Sequence, residues 1–144
     1  MLWRRHDPLR TNFINRDLNK IKYQFIIDLI MKNIAVIVSS GKNEKEKVLT
    51  ALTFANVAKK NKLFNDVTLI LFGPVEKLVA EGDKDVLKML DDFASLGEKP
   101  VACQVVANNF NITTDLQKLQ NLKVDMVGPI IKDLAEKDYE FLTF

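Results

Sequence analysis

One thiol, one imidazole and a few loop hydroxyls are the groups in this sequence from which reaction chemistry could be built. Cys103 closes the run Pro100-Val101-Ala102-Cys103, and what its sulfur can do depends on the backbone that follows. If Val101 through Ala107 is one continuous strand, the thiol lies mid-sheet and is inert, as lone buried cysteines usually are. If the strand ends at Cys103 and Gln104-Val105-Val106-Ala107-Asn108-Asn109 winds into a helix, the sulfur faces unpaired N–H groups. These favour thiolate and lower the thiol pKa from its reference of ~8.5. The only His, His6, lies in the N-terminal leader, so a papain-like Cys-His pair is excluded: no imidazole remains to take the thiol proton and give it to a leaving amine. With one Cys there is no internal disulfide or CxxC cycle, and a thiolate zinc cluster is not expected. A solitary activated cysteine can still accept a sulfur atom from a donor persulfide and pass it to a partner thiol, with no metal and no cofactor.

The loop Ser39-Ser40-Gly41-Lys42 is a second candidate. A phosphate-cradling P-loop needs a Gly five residues before its Gly-Lys and a hydroxyl after it, but Val36 and Asn43 occupy those places. Five Gly in the chain supply no three-glycine dinucleotide pattern. What remains is either a small-anion site made by Ser39, Ser40, Gly41 and a helix N-terminus, or plain turn chemistry. Asp91 and Asp92 are adjacent and point to different parts of a helix surface, so they solvate it rather than form an acid/base pair. Lys42, Glu44, Lys45, Glu46 and Lys47 read as a mixed-charge helix start. Phe110, Phe141 and Phe144 are not interleaved with basic residues, so core or interface packing explains them and nucleic acid is not an expected partner.

These groups are positioned by an alternating chain. Ile34-Ala35-Val36-Ile37-Val38 is an apolar run ending in a turn, a strand buried on both faces. A helix follows over about 44–60, with Val48, Leu52 and Ala55 at helical spacing. Val67-Thr68-Leu69-Ile70-Leu71-Phe72 is a second strand, ended by Gly73-Pro74, which open a short helix. Asp83 or Asp85 can cap the next helix, whose buried side is Leu87, Leu90, Phe93 and Ala94. A third strand starts at Pro100, a fourth spans Val124 to Val127 before Gly128-Pro129, a helix covers about 130–137, and Tyr139 to Thr143 is a fifth strand. The order βαβαβαβαβ requires a three-layer α/β/α fold around a mostly parallel five-stranded sheet. In such sheets ligands gather beyond the carboxyl ends of the strands, which here collects Ser39, Ser40, Gly41, Gly73, Pro74 and Cys103 on one edge.

A chain of 144 residues with 47% hydrophobic and 28% charged residues, and a net charge of only +2, fits one core. The charge is too small to name a nucleic-acid partner. Residues 1–30 hold Arg4, Arg5, Arg10, Arg16, Lys20 and Lys22 against Asp7, Asp17 and Asp28. Ile26-Ile27-Asp28-Leu29-Ile30 is interrupted by a carboxylate, which argues against a secretory signal. No apolar stretch reaches the ~18–20 residues of a spanning helix, so a cytoplasmic location without membrane partners is expected. Ile14, Leu18, Ile21, Phe25 and Leu29 lie on one stripe, so the leader reads as an amphipathic helix. The alternative is that Met31 is the biological start and 1–30 an upstream extension that does not belong to the native protein.

From Met31 to Phe144, about 80% of the chain, the sequence resembles the DsrE/DsrF-like proteins, the group that includes the sulfur-relay subunit TusD and YchN-type proteins. The matching features are Lys32-Asn33-Ile34-Ala35-Val36-Ile37-Val38-Ser39-Ser40-Gly41, the helix ending near Ala58, and Val67 through Gly73-Pro74. Gly97 before Pro100-Val101-Ala102-Cys103, the Val124 to Gly128 strand and the closing Tyr139-Glu140-Phe141-Leu142-Thr143-Phe144 complete them. The resemblance implies a parallel-sheet subunit of a trimer or hexamer. It also implies that Cys103 matches the persulfide-carrying cysteine, with protein sulfur donors and acceptors as partners. In many relatives a Gly or small residue follows that cysteine; Gln104 stands here, and either crowds the sulfur or offers it a side-chain amide. Asn108, Asn109 and Asn111 weaken the helix after Cys103. The rival reading is a non-catalytic oligomeric binding module whose strand-end pocket takes a small anion or a partner peptide.

Overall fold

The computed structural model describes residues 8–144, in two units that divide at Met31. Arg4, Arg5 and Asp7 of the basic leader lie outside the described residues. In the first unit, α1 (Pro8–Ile30) is a continuous helix. The stripe Ile14, Leu18, Ile21, Phe25 and Leu29 is exposed, and so are Tyr23, Ile26, Ile27 and Ile30. The apolar surface of α1 is therefore wider than a single stripe. Among the described residues no helix is long and apolar enough to cross a membrane.

The second unit follows the alternation. It runs β1 (Asn33–Val38), α2 (Lys45–Lys60), β2 (Asp66–Leu71), α3 (Val75–Ala80), α4 (Lys84–Ser95) and β3 (Val101–Cys103). It continues through α5 (Gln104–Asn109), α6 (Thr113–Gln117), β4 (Lys123–Asp125), α7 (Val127–Glu136) and β5 (Tyr139–Thr143). The strands form one all-parallel sheet in the order β4-β3-β2-β1-β5. β2 is the central strand, and β1 lies between it and the edge strand β5, paired over six residues with β2 and over five with β5.

Because side chains alternate across a strand, one apolar run feeds two cores. Ile34, Val36 and Val38 of β1 join Leu52, Leu69 and Phe93 on one face, under α2, α3 and α4. Ala35 and Ile37 join Ile70, Val101, Cys103 and the α7 residues Val127 and Leu134 on the other. The result is the expected α/β/α sandwich.

Several boundaries shift. β4 ends at Asp125, so Val127, Gly128 and Pro129 form the first turn of α7 instead of a loop after the strand. Pro is tolerated there because first-turn N–H groups have no intrahelical partner to lose. A one-turn 3-10 segment at Lys42–Glu44 precedes α2. A further short helix, α6, follows α5; Asn111, at φ 56°, supplies the left-handed bend that separates the two. Asp83, not Asp85, caps α4, accepting the Val86 N–H at 3.1 Å.

Candidate functional site

All of the expected residues map to the carboxyl end of the sheet, but in two separate places. The first is a cavity of about 630 Å³ between the β1–α2 connection and α3. Ser39, Ser40, Gly41 and Pro74 line it, with Lys42 and Lys77 beside them. Gly73, Gln104 and Cys103 do not. Gly41 and Gly73 are there because two backbones meet: a Cβ on Gly41 would lie 2.5 Å from the Pro74 Cβ, and one on Gly73 would lie 3.0 Å from the Ser39 carbonyl oxygen. Gly73 also holds φ at 139°, which other residues rarely adopt. Gly73→Ala is expected to cost about 1–3 kcal/mol in a urea unfolding curve.

The anion cradle expected at Ser39 and Ser40 is altered by the C-terminal strand. β5 lies beside β1, and the Phe144 carbonyl oxygen accepts the Ser39 N–H at 2.8 Å, the Ser40 N–H at 3.2 Å and the Ser39 hydroxyl at 3.2 Å. Those two backbone donors are engaged and cannot also wrap an anion. The mixed-charge helix start behaves as a solvated face: Lys45 binds Asp83 and Asp85, and Lys47 approaches Glu44 at 3.6 Å. Asp92 pairs with Lys88 and Asp91 accepts from Asn121, so neither forms an acid/base pair. Phe144 packs near Phe54, and Phe110 lies under the Lys77 ammonium at 4.1 Å.

The second place is the β3–α5 junction. Of the two backbone courses open after Cys103, the chain takes the helical one: Cys103 is extended, at φ −74° and ψ 117°, and Gln104 begins α5. β2 ends at Leu71, opposite Ala102, so Cys103 lies one residue beyond that neighbour and pairs only with Asp125 of β4. Its N–H turns instead to a side chain, donating to Glu76 Oε1 at 2.9 Å. The thiol itself is buried, 3% exposed, in the core shared with Val101, Ile70 and Val127. This overturns the expectation of an accessible sulfur at the sheet rim; α7 and its apolar face cover it. Gln104, half-buried, follows the sulfur and does not open it to the cavity.

Glu76 is the residue that sequence reasoning missed. It is 0% exposed, and its Oε2 has no hydrogen-bond partner. Burial pushes its carboxyl up to about 7, and the N–H groups of Cys103 and Gly73 draw it down less strongly. A signal was present: in α3 Val75, Leu78 and Val79 are all buried, so an acid at 76 falls within an apolar surround. Among the described residues no group of three or more His, Cys, Asp or Glu side chains could hold a metal ion.

The architecture is that of known structures. The YchN protein of E. coli superposes with a TM-score of 0.64 at 17% identity, over 79% of this chain and 100% of that one. A conserved protein of unknown function from Bacteroides thetaiotaomicron, BT1422, superposes with a TM-score of 0.64 at 21% identity, over 76% of this chain and 94% of that one. No family model matches the sequence, and no curated protein does. The fold is therefore DsrE/YchN-like, and at these identities the likeness extends to the fold alone.

Proposed function

From that fold, we propose that this chain is a sulfur carrier in which Cys103 accepts and passes a persulfide sulfur. The Cys103 thiolate attacks the outer sulfur of a donor persulfide, R–S–SH. A bond forms between Sγ and that sulfur, the donor S–S bond breaks, and the donor departs as a thiol after taking up the proton that Cys103 released. An acceptor thiolate then attacks the outer sulfur of the Cys103 persulfide, and Cys103 leaves as thiolate. No electrons are gained or lost overall, so neither step calls for an oxidant, metal or cofactor.

The observation that carries this reading is the backbone switch at Cys103: the one thiol of the chain ends a strand at the carboxyl edge of a parallel sheet, where reactive groups of α/β proteins collect. Its burial means that transfer requires local opening at the β3–α5 junction or beside α7. Protein donors and acceptors would supply contacts at that edge, and three exposed apolar residues support this: Phe72, Val105 and Met126 follow the adjacent strands β2, β3 and β4. Assembly into a homo-trimer or homo-hexamer belongs to the same proposal, since such residues are buried most simply between subunits.

Incubation with a small-molecule persulfide followed by intact-mass measurement tests the carrier. The wild type should gain one sulfur atom and Cys103→Ser none. Equal behaviour of the two proteins would leave the second reading, a binding module, which is favoured by the cavity between Ser40 and Lys77 and needs no thiol.

A further inference from the structure

Glu76 is hard to explain as a purely structural residue. A carboxylate taken out of water needs partners for its several lone pairs, and an orphaned buried oxygen is costly. Glu76 has one listener of good geometry, the Cys103 N–H at 2.9 Å, and an Oε2 with none. Anchoring that N–H would be served as well by a neutral acceptor. A carboxylate at the same position does something a neutral group does not: once ionised, it is drawn toward water.

We propose that Glu76 is the positioning residue that governs access to Cys103, pinning the β3–α5 junction while it is neutral and loosening that junction when it ionises. The proposal rests on the reading of Cys103 as the sulfur carrier, and it supplies the opening which that reading needs. Closed, the carboxyl accepts the Cys103 N–H and holds the sulfur under α7. Ionised, it retains an unsolvated charge, relieved when the junction opens and water reaches Oε2. The junction is lightly held: β3 is three residues long, pairs with β2 at only two positions, and leads into a six-residue helix ending in Asn108-Asn109. Among the described residues no charged side chain is hydrogen-bonded or ion-paired to Glu76; the groups that favour ionisation are the two backbone N–H groups. Cys103 is the titratable residue bonded to it, and the Lys77 ammonium lies over the Phe110 ring. The carboxyl changes state near pH 7, so both forms are present under ordinary conditions.

Hydrogen exchange at the Cys103 amide reads the opening directly, free of the thiol's own titration. Measured by NMR and normalised to the unprotected amide, protection in the wild type should fall about tenfold between pH 6 and pH 8. In Glu76→Gln it should stay level over that range. A structural anchor would instead move the Cys103 amide only in step with the β1 and β2 amides that exchange through global unfolding, and that result overturns the proposal. So does a level wild-type profile, which needs no variant to measure. Persulfide loading, run on the same samples, separates the two claims. Loading with coincident profiles keeps the carrier and removes the role of Glu76, whereas diverging profiles without loading keep the Glu76 junction and remove the carrier.

Discussion

Between pH 4.5 and pH 7 the wild-type chain is expected to lose roughly 3 kcal/mol of stability relative to Glu76→Gln. The sign follows from proton counting. In the unfolded chain the Glu76 carboxyl has its ordinary value of 4.5; in the fold burial holds it up to about 7. Between those values the folded state binds the extra proton, so raising the pH favours unfolding. The contribution is fully present below about 4.5, is lost as pH climbs through about 7, and is flat beyond. At ~1.36 kcal/mol per pH unit the window sets the magnitude. Asp83 and Asp125 move the opposite way: hydrogen bonds from Lys45 and Lys123, respectively, hold their carboxyls below the usual range, so what they add is lost as pH falls. Both proteins share that acid limb, and it cancels in the difference. Urea titrations of the pair at half-unit pH intervals measure the effect; parallel curves would mean that Glu76 is solvated in the fold.

That carboxylate also marks where the sequence stopped being legible. β1 and β2 announce themselves as apolar runs because their residues are buried from both faces, and the Asp83 cap announces α4 because capping is local. The course of the chain after Cys103 is a different kind of question. Val105 and Val106 have side chains suited to a strand, so local preference alone left two backbones open. What decides between them is the length of the neighbours: β2 stops at Leu71, where Gly73-Pro74 turns the chain away, and β4 stops at Asp125, the partner of Cys103, so beyond Cys103 there is no ladder to extend. The choice at Ser39 and Ser40 between an anion cradle and plain turn chemistry was open for a similar reason. The cradle's donors are taken by Phe144, 105 positions away from Ser39, through a pairing of β1 with β5 that no local spacing encodes. Glu76 sits among the apolar positions Val75, Leu78 and Val79, a hint of burial, but what it bonds is set only by the crossover that brings α3 to the end of β3.

Alkylation of Cys103 in the native chain is expected to run roughly 100-fold slower than in the urea-unfolded chain at the same pH, and Val127→Ala should recover a tenfold or larger part of that. A thiol 3% exposed reacts only through openings, so its rate is the unprotected rate multiplied by the open fraction. Val127 is the α7 residue to choose. It is 1% exposed, shares the Cys103 core and stands in the first turn of α7, where the helix has fewest internal bonds to lose. Removing its two methyl groups forfeits roughly 2 kcal/mol of burial and packing, and each ~1.4 kcal/mol taken from a local opening raises the open fraction tenfold. A change of the same kind remote from the sulfur, Leu116→Ala at a 0% exposed position in the opposite core, should lower global stability by more while moving alkylation by less. If both variants change the rate in proportion to their global stability, Cys103 is reached only by complete unfolding, and a carrier that works through the native fold is ruled out.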